Sequence, residues 1–112
     1  MKKIEAIIRT SKFEEVYEAL TEIGIAFMST YDIKGFGSEH SSSQVYRGTT
    51  YSVGFIPRTK IELIATEDHV EEVVETILRV ANTGKVGDGK IFIMDVEAVI
   101  RIRTGEVGEL AL

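Results

Sequence analysis

Lys3-Ile4-Glu5, followed by Phe13-Glu14-Glu15-Val16-Tyr17-Glu18, recurs 57 residues further on as Lys60-Ile61-Glu62 and Val70-Glu71-Glu72-Val73-Val74-Glu75. Each copy reads as an apolar strand, a short polar break and an amphipathic helix, so the chain is built from a duplicated unit. In the first copy the strand covers Lys2–Arg9, and Ser11-x-x-Glu14 has the form of a capping box, which predicts a helix from about Lys12. Phe13, Val16, Tyr17, Leu20 and Ile23 recur at spacings of three and four and define its apolar stripe, with Gly24 as the stop. A second strand is expected over Ile25–Ile33. In the second copy Thr59–Ala65 is a strand and Asp68-x-x-Glu71 is placed to cap the next helix. That helix carries a stripe of Val70, Val73, Val74, Ile77, Leu78 and Ala81 and is stopped at Gly84. The β-branched run Ile91–Ile102 reads as one long final strand.

The order is thus βαβ, an insert, then βαβ. Two such units predict an α+β, ferredoxin-like βαββαβ sandwich, a four-stranded antiparallel sheet with both helices on one face. The other face has no helix to cover it. It is expected to carry apolar residues and to need a partner, most simply further copies of the chain. A chain of 112 residues makes one small domain with a limited core, which also favours self-association. Between the halves, residues 35–55 hold Gly35, Gly37, Gly48, Gly54, three consecutive serines, Tyr46, Arg47 and Tyr51. An insert of this length is functional more often than not, with an extended hairpin as the plain alternative.

Several classes fall away. There is no cysteine, hence no disulfide, cysteine zinc site, iron–sulfur cluster or cysteine nucleophile. His40 and His69 are far apart and read as solvated surface residues rather than ligands or bases. No apolar run is long enough to cross a membrane, and the start, Met1-Lys2-Lys3-Ile4-Glu5, lacks the core of a secretory leader, which predicts a cytoplasmic protein with no direct membrane insertion. A net charge of −5 weighs against nucleic acid. Lys34-Gly35-Phe36-Gly37 has the beginning of an RNA-recognition signature, but Ser38-Glu39-His40 breaks it.

The strongest chemical signal is Thr83-Gly84-Lys85-Val86-Gly87-Asp88-Gly89-Lys90, between a helix and a strand. Three glycines let backbone N–H groups approach an anion and two lysines add charge, although the spacing is not that of a Walker loop and a tight turn is the plain alternative. Arg101 and Arg103, two apart on the expected strand, would share a face and suit a polyphosphate. No nucleophile or base is positioned, so no catalytic residue is assigned.

These motifs together resemble the PII signal-transduction proteins, trimeric regulators of nitrogen metabolism. The resemblance covers essentially the whole chain. It rests on Gly35-Phe36-Gly37, Tyr46-Arg47-Gly48-Thr49-Thr50-Tyr51, Phe55-Ile56-Pro57-Arg58-Thr59-Lys60-Ile61-Glu62, residues 83–92, and Arg101-Ile102-Arg103-Thr104-Gly105-Glu106. It implies a single PII-type domain over 1–112 with a T-loop at about 37–55, a B-loop at about 82–90 and a C-terminal loop at about 101–112. It further implies a homotrimer with ATP or ADP, and magnesium where required, in clefts between subunits. Gly87, Asp88, Gly89 and Lys90 would meet the phosphates, Arg101 and Arg103 would reach them from a neighbouring subunit, and Gly35, Gly37 and Ser38 would line the cleft. Ser29, Glu62 and Ile64 would lie near the adenine and ribose. The T-loop would dock into a target, a membrane transporter or metabolic enzyme, and Tyr51 aligns with a tyrosine that some bacterial members carry as a nucleotidylation site. Two departures weigh against 2-oxoglutarate: Glu39 replaces the family's metal-linked glutamine, and Arg58 replaces its ligand-binding lysine. The expected function is a non-enzymatic sensor. The alternative is a phosphate-transferring or ATP-hydrolysing enzyme of ferredoxin-like fold.

Overall fold

The computed structural model describes residues 1–35, 44–46, 49–51 and 56–112. Among these described residues six strands and two α-helices follow in the order β1 (Lys2–Arg9), α1 (Phe13–Glu22), β2 (Ser29–Gly35), β3 (Gln44–Tyr46), β4 (Thr49–Tyr51), β5 (Ile56–Ala65), α2 (Val70–Ala81) and β6 (Lys90–Asp95). The main sheet has the order β2-β5-β1-β6, with every pair antiparallel. The two repeat strands β1 and β5 lie side by side at its centre, with Glu5 opposite Glu62. This is the expected ferredoxin-like α+β arrangement. Within the insert, β3 and β4 pair as a short hairpin, with Val45 opposite Thr50.

Alternation along the central strands decides the layers. Ile4, Ala6 and Ile8 of β1 and Ile61, Leu63 and Ala65 of β5 are buried against Val16 and Leu20 of α1 and Val73, Ile77 and Ala81 of α2. The helix stripes are narrower than their sequence pattern. Tyr17 and Leu78 are about half exposed, whereas Thr76 is buried and donates its hydroxyl to the carbonyl of Glu72 at 2.7 Å. Neither expected cap forms. A 3₁₀ turn, Thr10–Lys12 or Glu67–His69, leads into each helix, and the N-cap residues Lys12 and His69 make no side-chain cap bond. His69 is not a solvated surface residue: its ring Nε2 lies 2.9 Å from the carbonyl oxygen of Ile23 and ties the start of α2 to the end of α1.

The second and last strands are both shorter than expected. Gly24, at φ +96°, turns the chain so that the N–H of Ile25 bonds the carbonyl of Leu20 and Ile25 drops into the core. Residues 25–28 are thereby drawn off the ladder, and β2 begins at Ser29 rather than Ile25. The last strand stops at Asp95 because β1, its one neighbour among the described residues, has run out: Asp95 faces Lys2, and the carbonyl of Met1 takes the N–H of Val96. Beyond that point the β-branched residues have no strand to pair with among the described residues, and the chain folds on itself. Ile100 bridges Val107, the N–H of Arg101 bonds Glu106, and Gly105, at φ +73°, closes the turn.

The face without helices is not simply apolar. Phe92 and Met94 lie on its β6 margin and Tyr31 on its β2 margin, all partly exposed. At the centre Lys3, Glu5, Lys60 and Glu62 form a square of ion pairs: Lys3 is 3.4 Å from Glu5 and 3.6 Å from Glu62, and Lys60 is 3.2 Å from each. Two carboxylates directly opposite would repel. The lysines on the two diagonals cancel that repulsion. The Lys60 bond, helped by the hydroxyl of Tyr31 at 3.0 Å, holds Glu62 down to about 2.

Candidate functional site

At one end of the sheet, α2 gives way to the loop 82–89 and then to β6. Asp88 organises this loop. Its carboxylate accepts the backbone N–H groups of Thr83 (2.8 Å) and Gly84 (2.9 Å), the Thr83 hydroxyl (2.5 Å) and the Nε of Arg9 (3.0 Å). These bonds, those of Thr83 foremost, hold the Asp88 carboxyl well below the usual carboxylate range. Arg9 also donates from Nη2 to the carbonyl of Val86 at 2.9 Å.

The glycines are demanded by close approach. A Cβ on Gly89 would lie 1.6 Å from the carbonyl oxygen of Ile7, and one on Gly87 would lie 2.9 Å from Nη2 of Arg58. Both residues have φ near +100°. Arg58 is buried and donates from Nη1 to the carbonyl of Pro57 at 2.9 Å. Lys90 opens β6 opposite Ile7 and is exposed, and Gly35 ends β2 opposite Ile56. Gly35, Arg58, Gly87, Asp88, Gly89 and Lys90 therefore belong to one end of the molecule.

The other expected residues lie elsewhere. Ser29 faces Glu62 across β2 and β5. Ile64 lines a cavity of about 490 Å³ with residues 24–27, Val99, Ala111 and Leu112. Ile64 lies six positions beyond Arg58 along β5, a distance of about 20 Å at the rise of an extended strand. Arg101 and Arg103 are in the turn after Ile100, not on a strand, so the shared-face argument for them does not hold. Arg101 donates from Nη1 to Glu106 at 2.7 Å and from Nη2 to the carbonyls of Leu110 at 2.9 Å and Leu112 at 3.4 Å. Arg103 is exposed. Gly37, Ser38 and Glu39 lie outside the described residues. Tyr51 ends β4, and its backbone pairs with Gln44.

Sequence reasoning missed Arg9, Phe27, Glu106 and Leu112. Phe27 is largely exposed at the mouth of the cavity beside Ile64. The register that sets Arg9 opposite Arg58 has no local signature. Among the described residues no group of three or more His, Asp or Glu side chains is gathered to hold a metal ion, and no helix is long and apolar enough to cross a membrane.

The model of the family described as "Nitrogen regulatory protein P-II" matches residues 1–106. The nitrogen regulatory protein P-II of Klebsiella oxytoca is 52% identical, and nitrogen regulatory protein P-II 1 of Escherichia coli K12 is 51% identical, each over the full 112 residues of both chains. Among solved structures, Arabidopsis thaliana PII bound to citrate superimposes with a TM-score of 0.81 at 40% identity, covering 99% of this chain and 91% of that one. The two bacterial regulators have the same length of chain and the Arabidopsis structure has the same fold, and the expectation of a signalling protein rather than an enzyme agrees with them. The chain belongs to the nitrogen regulatory protein P-II family.

Proposed function

We propose that this regulator assembles as a homotrimer, binds ATP or ADP in clefts between subunits, and passes the nucleotide state to a target protein through residues 37–55. The observation that carries this reading is the division of the cation- and glycine-bearing residues between two ends of one sheet. The loop 82–90 with Arg9 and Arg58 forms one half-site. Ile64, the cavity beside it and Arg101 form the other. One protomer cannot close both halves on one small ligand, whereas the end of one copy set against the opposite end of the next makes a complete cleft. Exposed Ile100, Ile102, Val107 and Leu110 on the C-terminal turn supply apolar surface for such a contact.

In that cleft the B-loop amides and Lys90 would meet the phosphates of a bound nucleotide, joined by Arg101 and Arg103 of the adjoining copy, with Ser29, Glu62 and Ile64 toward the base and ribose. Magnesium would arrive on the phosphates. ATP and ADP differ in charge and reach at the γ-phosphate, and each would favour a different arrangement of residues 37–55. That differential affinity is what makes a switch. Gly37 and Ser38 would line the cleft, and Tyr51 is a docking or modification position. The target is a transporter or metabolic enzyme reached from the cytoplasm. With Arg58 drawn under Gly87 and an acid at Glu39, 2-oxoglutarate is not expected as a ligand.

The test is isothermal titration with ADP and ATP, with and without magnesium and 2-oxoglutarate, alongside the solution mass. A trimer that binds both nucleotides is expected, with Arg103→Ala weakening ADP roughly ten-fold, the worth of one charge-assisted hydrogen bond. A monomer, or a chain with no affinity for either nucleotide, would overturn the reading.

A further inference from the structure

The C-terminal segment touches both parts of the second half-site. Ala111 and Leu112 line the cavity that holds Ile64, and the carbonyls of Leu110 and Leu112 accept from Nη2 of Arg101. Glu106 takes Nη1 of the same guanidinium at 2.7 Å, across a turn whose backbone is closed by the N–H of Arg101 on Glu106 and the N–H of Gly105 on Arg101. Both terminal nitrogens of Arg101 are therefore already engaged by this chain's own carboxylate and carbonyls. Arg103, two residues on, makes no such bond among the described residues.

We infer that Glu106 and the turn Gly108–Ala111 act as a built-in competitor for Arg101, a latch that a nucleoside di- or triphosphate must displace. The inference rests on the nucleotide reading above and adds regulation to it. A phosphate oxygen that approaches the guanidinium meets the Glu106 carboxylate already on Nη1; the fork has five N–H donors, but the two anions repel across it, so phosphate and Glu106 compete for Arg101. When Arg101 leaves, Leu110 and Leu112 lose their donor, and Ala111 and Leu112 lose their anchor at the edge of the cavity. Occupation of the phosphate position by Arg101 is thereby coupled to opening of the cavity on the same protomer. In an assembly where Arg101 serves a neighbour's phosphate, one cleft reports its filling to the next.

The latch fixes the sign of a substitution. Glu106→Gln keeps the shape and removes the competing charge, so ADP should bind roughly three-fold tighter or better, because less of the protein is held in the incompetent state. A chain ending at Gly108 should show the same direction. In the unaltered protein, hydrogen exchange at the amides of 105–112 should speed up when ADP is added. If Glu106 merely positions Arg101 for phosphate, Glu106→Gln weakens ADP, and that result overturns the latch. Unchanged or slower exchange in 105–112 with ADP bound overturns it as well, independently of any variant. If the unaltered protein fails to bind ADP, the nucleotide reading falls and takes the latch with it. If it binds but neither variant tightens, the latch alone is wrong.

Discussion

The loop 82–89 and the turn 100–107 both offer cations to the same proposed phosphates, but they are held in place by different means. In the first, Asp88 gathers two backbone N–H groups, a hydroxyl and an arginine, and Gly89 is pressed onto the backbone of β1. In the second, one isolated bridge between Ile100 and Val107 and the bonds of Arg101 hold a turn whose apolar side chains face solvent, Ile102 completely. The loop is finished within the protomer. The turn is left incomplete and gains most from something placed against it. A site formed between copies can be assembled in this way, with a preorganised wall on one side and an adaptable one on the other.

The strongest way to break this comparison is at Gly89. An alanine there would set its Cβ 1.6 Å from the carbonyl of Ile7 at a φ of +100°, combining overpacking with backbone strain. A loss of about 3 kcal/mol is expected by chemical denaturation. A loss under about 1 kcal/mol would mean that the loop is not preformed as described.

Acid gives a sharper and smaller test. The Asp88 carboxyl lies below its ordinary value in the folded protein, so its stabilising bonds are complete above the unfolded value of roughly 3.9 and are lost as the pH falls through the lower folded value. Asp88→Asn should lower Tm at pH 7, and the gap to the unaltered protein should begin to narrow below about pH 4 and go on narrowing as the pH falls further. A gap that stays constant with pH would show that the charge of Asp88 contributes nothing.

The smallest effect is expected at the turn. Arg103→Ala, so costly to the proposed ADP binding, should leave Tm of the nucleotide-free protein unchanged, since Arg103 is exposed and has no partner among the described residues. A clear drop would mean that the turn depends on Arg103 for more than ligand.

The same contrast explains what could be read from the chain. The duplicated strand and helix were legible because period and repeat are local properties; β1, α1 and α2 follow them closely, while β5 begins at Ile56, three residues before the expected Thr59. The loop 82–90 was legible as a glycine-rich turn, but the reason for its glycines was not. Gly87 and Gly89 are required at once by Arg58 and by Ile7, from strands far away in sequence. The final strand was overextended because Val96–Ile102 is rich in β-branched residues, and the end of β1 at Lys2 decides that it has no strand to pair with among the described residues. The reading of Arg101 and Arg103 as strand neighbours failed for that reason. Their identity as the cations of the C-terminal turn did not depend on it.

The four-charge square on the uncovered sheet has a consequence for crowding. Lys3 and Lys60 offset Glu5 and Glu62, so the patch sums to zero although it is built wholly of ions. A molecule that is −5 as a whole thus presents an electrically silent tile at the middle of its open face. Copies brought together there would meet no net charge on the patch itself, so the tile adds nothing to the repulsion that their overall charge of −5 creates.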